Sequence, residues 1–141
     1  MLIFISEEMV FVDSNVWIGY FNSNDKHHPK SFNIINAIKE NQEIKVIYVT
    51  SGIVHEVVNH LFKIRGEDFA RRTLSIILSL PKLQILFLTD ILWEKTIENF
   101  NIYKMGLTDA QIVSAMSETE DNSIYSFDGH FDQVKWIRRV F

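Results

Sequence analysis

The chain has 141 residues, 47% hydrophobic and 23% charged, with a formal net charge of −4 and no cysteine. These values fit one soluble globular domain over 1–141 and exclude a disordered, collagen-like or low-complexity chain. They also exclude disulfides, thiolate catalysis and Cys-ligated zinc, while the excess of acid argues against a surface coated in basic groups for duplex binding. Met9 opens a short apolar run, Val10 to Val12, that closes on Asp13. Residues 14–21 then carry apolar side chains at helical spacing (Val16, Trp17, Tyr20, Phe21). After a polar loop, Pro29 marks a helix start, where its missing N–H costs little, and Phe32, Ile35 and Ile38 carry that helix to about Asn41.

Lys45 to Val49 is β-branched and aromatic and is expected as a strand. Thr50 or Ser51 caps a helix built on Val54, Val57, Val58, Leu61 and Phe62 and running to Gly66. A helix over about 68–80 ends before Pro81, followed by a strand at 84–88 and a helix over 90–103 built on Ile91, Ile97 and Phe100. A helix at 108–120 leads to a strand at 123–127 closing on Asp128, and Trp136 to Val140 is expected as an edge strand. Strands alternating with helices predict a three-layer α/β/α sandwich with a mostly parallel sheet. No apolar run approaches the roughly 18–20 residues of a membrane span. Met1 to Ile5 is too short for a signal-peptide core and follows no positive charge, so a cytoplasmic location is expected.

In such a sheet, strand C-termini and the following helix N-termini share one edge, where ligands bind. Asp13, Glu56, Asp109 and Asp128 all fall on that edge, although 43, 53 and 19 positions separate them along the chain. Each has an ordinary reading alone. Thr108 and Gln111 form a capping box around Asp109, which would favour the helix dipole by about 0.3–1 kcal/mol. Asp13 and Asp128 are suited to strand-end turns, and Glu56 to a solvated helix face, paired with Lys63 or unpaired. Jointly they predict one site. Unit charges about 4 Å apart repel by about 4 kcal/mol at an effective dielectric near 20, so such a cluster needs a counter-cation. Oxygen donors favour Mg²⁺ or Mn²⁺ over zinc.

The stretches Val10-Phe-Val-Asp13-Ser-Asn-Val-Trp-Ile18, Glu56 with its apolar-rich helix, Leu107-Thr-Asp109-Ala and Tyr125-Ser-Phe-Asp128-Gly-His-Phe131 resemble a PIN-domain ribonuclease. They are similar in particular to small toxins of the VapC type. The resemblance extends from about Met9 to the C-terminus; residues 1–8 then read as an N-terminal extension, or Met9 as the start. It implies a sheet ordered 3-2-1-4-5, a Mg²⁺- or Mn²⁺-dependent endoribonuclease acting on RNA, homodimers, and a small antitoxin protein that blocks the site in a type II toxin–antitoxin pair. By motif match Asp13, Glu56, Asp109 and Asp128 correspond to the family's acidic quartet, and Asp132 to a further acidic position that varies. The expected roles are metal binding by Asp13 and Asp128, with Asp109 binding directly or through water. Glu56 is expected to orient or deprotonate the attacking water or to hold a second ion. Ser14 and Thr108 are expected to hydrogen-bond the carboxylates or a phosphate.

Two other readings compete. A haloacid-dehalogenase-type phosphatase would use Asp13 as nucleophile, but Asn15 stands where that motif needs a second acid. A catalytically inactive PIN-like binding or scaffold module would not need the intact quartet. His55-Glu56…His60 fails as a zinc-protease motif, because histidines at i and i+5 lie about 140° apart around a helix rather than on one face. Both are expected as helix-surface histidines. His27 and His28 are expected as solvated loop residues. Trp17, Trp93 and Trp136 are expected as core or dimer contacts, and Val113 and Met116 as core. Lys63, Arg65, Arg71 and Arg72, with Lys135, Arg138 and Arg139, offer phosphate contacts, although a solvated face suits the first group equally.

Overall fold

The computed structural model describes residues 8–141, so the apolar start and all but the last residue of the expected extension lie outside the described residues. Within them run β1 (Met9–Val12), α1 (Ser14–Phe21), α2 (His28–Glu40), β2 (Val46–Thr50), α3 (Ser51–Arg65) and α4 (Glu67–Ser79). Then follow β3 (Leu83–Leu86), α5 (Asp90–Ile102), α6 (Leu107–Thr119), β4 (Ser123–Tyr125), a 3₁₀ turn (Gly129–Gln133) and β5 (Arg138–Val140). The sheet order is β3-β2-β1-β4-β5 and every pairing is parallel.

The order sets the layers. The steps β1 to β2 to β3 move one way across the sheet, and β3 to β4 to β5 move back. Right-handed crossovers therefore put α1 to α4 on one face and α5 and α6 on the other. The helices pack as the pairs α1/α2, α3/α4 and α5/α6. Strand β1 lies at the centre, covered on both sides, and Val10, Phe11 and Val12 are fully buried; a buried parallel strand reads as a continuous apolar run for this reason. The strand order reverses at β1, so the crevice beyond the C-termini of β1 and β4 is where such a sheet presents a site.

Local chemistry explains the helix ends. Thr50 caps α3 by accepting from the Ile53 N–H, and Thr89 caps α5 by accepting from the Leu92 N–H, both at 3.1 Å. Gly66, at φ +91°, makes the turn between α3 and α4 that a side chain would strain. At Gly52 a Cβ would lie 2.6 Å from Gln111 Oε1. The first turn of α3 therefore lies against the start of α6, with the Gln111 side chain over Gly52, which brings Glu56 toward Asp109.

Three local expectations are corrected. The capping box is absent: α6 begins at Leu107 after Gly106, so Thr108 lies inside its first turn and no side chain caps that end. Helix α5 is rotated from the expected face, with Leu92 and Thr96 buried and Ile91, Ile97 and Phe100 exposed. On the side turned to α6 the Asn99 amide donates to Ser114 Oγ at 2.8 Å. His27 and His28 are tethered rather than solvated: the His27 ring stacks on Phe127 at 4.3 Å between centroids, and His28 Nδ1 lies 2.7 Å from the Gly19 carbonyl oxygen.

The tryptophans differ in environment. Trp17 is buried and donates its indole N–H to the Val12 carbonyl, whereas Trp93 and Trp136 are exposed. Val113 and Met116 are buried in the core.

The end of α6 carries a cost. Glu120 adopts the left-handed conformation that closes the helix, and Asp121 follows it into the interior. Asp121 Oδ1 accepts from the Ser123 N–H at 3.0 Å, but its other oxygen is buried with no hydrogen-bond partner among the described residues. Burial pushes its carboxyl up to about 6. Asp121→Asn keeps the Ser123 bond and removes the charge. Urea unfolding should show the variant more stable by about 1–2 kcal/mol at pH 7.5, with the gain shrinking as pH falls through about 6 and gone below about 3.8, where the carboxyl is protonated in both folded and unfolded chains.

Candidate functional site

Asp13 follows β1 and caps α1, its Oδ1 accepting from the Ser14 N–H at 2.7 Å. Its Oδ2 accepts from Ser126 Oγ at 2.7 Å. Ser126 closes β4 and is itself fully buried; its hydroxyl also accepts from the Asp128 N–H at 3.0 Å and from the Asn15 amide at 3.4 Å. Asn15 returns a second bond, its Oδ1 accepting from the Phe127 N–H at 3.3 Å. One serine and one asparagine thus lock the β1 and β4 ends together and set Asp13 against Asp128. Asn15 acts as a clamp between strand ends, and in the dehalogenase-type alternative its place belongs to an acid.

Ser14 supplies the link to α3, its hydroxyl donating to Glu56 Oε2 at 2.7 Å. Among the described residues Glu56 makes no ion pair with Lys63, so the solvated-pair reading does not hold. The Thr108 hydroxyl bonds to none of the four carboxylates; it lines the groove beside Glu56. Asp109 lies in the first turn of α6 and Asp128 at the start of the 3₁₀ turn, where it accepts from the His130 N–H at 2.9 Å. The turn role expected of Asp128 and its place among the acids are therefore both present.

The electrostatics show how closely the four acids are set. Burial raises the Asp13 carboxyl to about 6, against the bonds from Ser126 and Ser14, and the charges of Glu56 and Asp128 push the same way. Burial likewise raises Asp109 to about 7, reinforced by Asp13, Asp128 and Glu56 and opposed by His130. Four carboxyls repel one another, and His130 is the nearby group that opposes them.

His130 is the residue that sequence reasoning missed. Its Nδ1 lies 2.9 Å from Asp128 Oδ1 and 3.9 Å from Asp109 Oδ2. One donor atom each from Asp109, Asp128 and His130 fall within 4.8 Å of one another, a spacing one divalent cation can span. The signal was present, since a histidine two residues past a strand-end acid returns onto that acid when the chain turns tightly. Asp13 and Glu56 supply no atom to this group, and neither does Asp132, whose two oxygens are held by Arg139 at 2.9 and 3.0 Å; Arg139 also donates to the Ser126 carbonyl at 3.3 Å. The donor set otherwise suits a hard cation. The carboxylates keep unused lone pairs, the imidazole adds one nitrogen, and the surplus negative charge is what a dication would neutralise.

Among the candidate phosphate contacts several cations are engaged. Arg71 pairs with Glu67 at 2.6 Å, Arg65 donates to Asn22 at 2.9 Å and lies over the Phe69 ring, and Arg139 holds Asp132. His55 and His60 are exposed on α3, as expected, and border the groove beside Glu56.

No curated protein matches the chain in sequence. Among solved structures it is similar to Mycobacterium tuberculosis VapC20, described as a sarcin–ricin loop cleaving toxin, with a TM-score of 0.77 at 20% identity, over 91% of this chain and 96% of that one. It is also similar to a chain of VapBC2 from Rickettsia felis, solved with a promoter DNA fragment, with a TM-score of 0.71 at 14% identity, over 94% and 97%. A toxin–antitoxin complex from Klebsiella pneumoniae gives a TM-score of 0.67 at 17% identity, over 92% and 95%. At these identities the likeness establishes the shared fold. Residues 10–137 match the PIN domain profile, and the chain therefore belongs to the PIN domain family.

Proposed function

We propose that the chain is a Mg²⁺- or Mn²⁺-dependent endoribonuclease and the toxin of a type II toxin–antitoxin pair. The observation that carries this reading is the meeting of Asp13, Glu56, Asp109 and Asp128 at the strand-order reversal of a PIN fold, where burial, reinforced by the charges of the other three acids, holds Asp109 near 7. The cleaving activity of the M. tuberculosis neighbour and the toxin–antitoxin assembly of the K. pneumoniae neighbour support it.

Asp109, Asp128 and His130 would hold the cation, with Asp13 beside them. A divalent ion there supplies Lewis-acid polarisation of the scissile phosphate and a water acidic enough to attack at neutral pH. The chain's own groups do the positioning. Ser126 and Ser14 fix Asp13, and Ser14 takes one Glu56 oxygen, leaving the other to accept a hydrogen bond from the attacking water. Water adds to phosphorus, the bond to O3′ breaks, and the proton lost by the water ends on O3′. The 2′-hydroxyl takes no part, so the products carry a 5′-phosphate and a 3′-hydroxyl.

The chain is read as a single PIN domain, with residues 1–8 an N-terminal extension or Met9 the start, working as a homodimer in the cytoplasm and blocked by a small antitoxin. Among the described residues no helix is long and apolar enough to cross a membrane. The test is incubation with end-labelled single-stranded RNA, with and without Mn²⁺ or Mg²⁺, beside Asp13→Asn and Asp128→Asn. Metal-dependent cuts lost in both variants are expected. Absence of cutting together with absence of metal binding by calorimetry would overturn the reading in favour of a scaffold.

A further inference from the structure

Beyond Glu56, α3 presents a stripe of side chains that the carboxylate chemistry does not use. Asn59, His60 and Lys63 follow Glu56 at i+3, i+4 and i+7, which places all four on one helix face. They line a groove of about 410 Å³ that reaches back to Thr108 at the start of α6. Of the acidic site, Glu56 stands at this groove, and the rest of its polar lining carries donors: an ammonium, an amide, two imidazoles and a hydroxyl. Lys63 has no ion-pair partner among the described residues, although Arg71, Lys95 and Arg139 each have one. At 1.5 Å per residue Lys63 stands about 10 Å along the axis from Glu56.

We propose that this stripe is the track for the RNA backbone on one side of the scissile phosphate. Lys63 and His60 would take phosphates, and Asn59 and Thr108 would donate to phosphate or ribose oxygens. The inference deepens the ribonuclease reading and rests on it. The charge pattern selects the ligand: a polyanion with one phosphate at the carboxylate site must run its neighbours along donors, and this groove changes from acid to donor within two helical turns. An acidic peptide would match Lys63 but would set its own carboxylates against Glu56 and Asp109. Lys63 also lies in the last turn of α3, where a cation favours the helix dipole. A purely structural role would appear in stability and not in salt dependence.

The experiment compares wild type, Lys63→Ala, Lys63→Glu and His60→Ala in cleavage of a labelled 20-nucleotide single-stranded RNA in Mn²⁺, over a series of salt concentrations. Anisotropy binding of the same RNA is measured without metal, and thermal unfolding serves as the control. Lys63→Ala is expected to raise KM about 3–10-fold and Lys63→Glu about 10–100-fold, with kcat within about twofold and the slope of log affinity on log salt shallower by roughly 0.7. His60→Ala should raise KM by a smaller factor, again at constant kcat. Unchanged KM and salt slope in Lys63→Glu, with wild type active, would overturn the track and leave the nuclease standing. RNA binding that weakens with salt and is lost in Lys63→Glu, with no cutting by wild type, would keep the track and remove the nuclease. Wild type that neither binds nor cuts RNA would overturn both. Displacement from this groove by poly-glutamate but not by RNA would assign it to an acidic protein segment and overturn the inference.

Discussion

Replacing Asp109 by asparagine should make the metal-free protein more stable while it lowers metal-dependent cleavage at least about a hundredfold. The two readings of this residue predict opposite signs for stability. As a first-turn acid favouring the α6 dipole, Asp109 would stabilise the fold by about 0.3–1 kcal/mol, and the asparagine variant would lose that amount. As a member of a crowded carboxylate cluster it is held near 7 by burial and by the charges of Asp13, Asp128 and Glu56, so its ionised form costs free energy at neutral pH. Asparagine removes the charge at nearly constant shape. A net gain on the order of 2 kcal/mol at pH 7.5, measured by urea unfolding in chelator, is expected after the dipole loss is subtracted. Calorimetry should show Mn²⁺ affinity reduced at least tenfold, because the remaining donors keep the geometry but lack a charge. The rate loss corresponds to about 2.7 kcal/mol or more in the barrier. A variant less stable than wild type, with full Mn²⁺ affinity, would return Asp109 to the role of a helix-end acid.

Much of this arrangement was readable from the residues. Val10 to Val12 closing on Asp13 and the strand closing near Asp128 place two acids at adjacent strand ends, because a buried parallel strand and the turn after it have distinctive compositions. The positions of Glu56 and Asp109 followed from the alternation of strands and helices, with boundaries displaced by a residue or two. The parts that escaped depend on contacts between distant segments. The face of α5 is not legible from spacing, because Ile91, Ile97 and Phe100 are exposed while Leu92 and Thr96 meet the core. Spacing gives the period of a helix and leaves open which of two apolar faces meets the core. His130 was missed for a related reason: only the tight 3₁₀ turn returns its ring to Asp128 and Asp109. Asp132 showed an acid of the right type at the right spacing, but Arg139, seven residues on, holds it elsewhere.

Without metal, the protein should lose stability as pH rises from about 4 to 7, and saturating Mn²⁺ should remove most of that loss. Asp13, Asp109 and Asp121 have folded values near 6, 7 and 6, all above the ordinary 3.8. A carboxyl of this kind holds its proton more tightly folded than unfolded, so folding is favoured while the proton is on and disfavoured as it leaves. Each contribution is present below the unfolded value and is lost as pH rises through the folded one. Asp132, lowered by its bond from Arg139, has the opposite sign, but as an exposed ion pair it is worth little. Asp13 and Asp109 repel each other and titrate as a coupled pair, so the combined fall is about 2–4 kcal/mol rather than a sum of separate shifts. A dication at the site replaces repulsion by attraction and competes with protons for the same oxygens. At a free concentration of 100 Kd it adds about 2.7 kcal/mol. The Mn²⁺ gain should therefore be largest at pH 7.5, shrink toward pH 5, and fall by about half or more in Asp109→Asn. Asp121 is distant from the donors, so Asp121→Asn should remove its own share of the pH slope and leave the Mn²⁺ response intact. An equal Mn²⁺ gain at pH 5 and pH 7.5 would mean that the ion binds elsewhere than at these carboxylates.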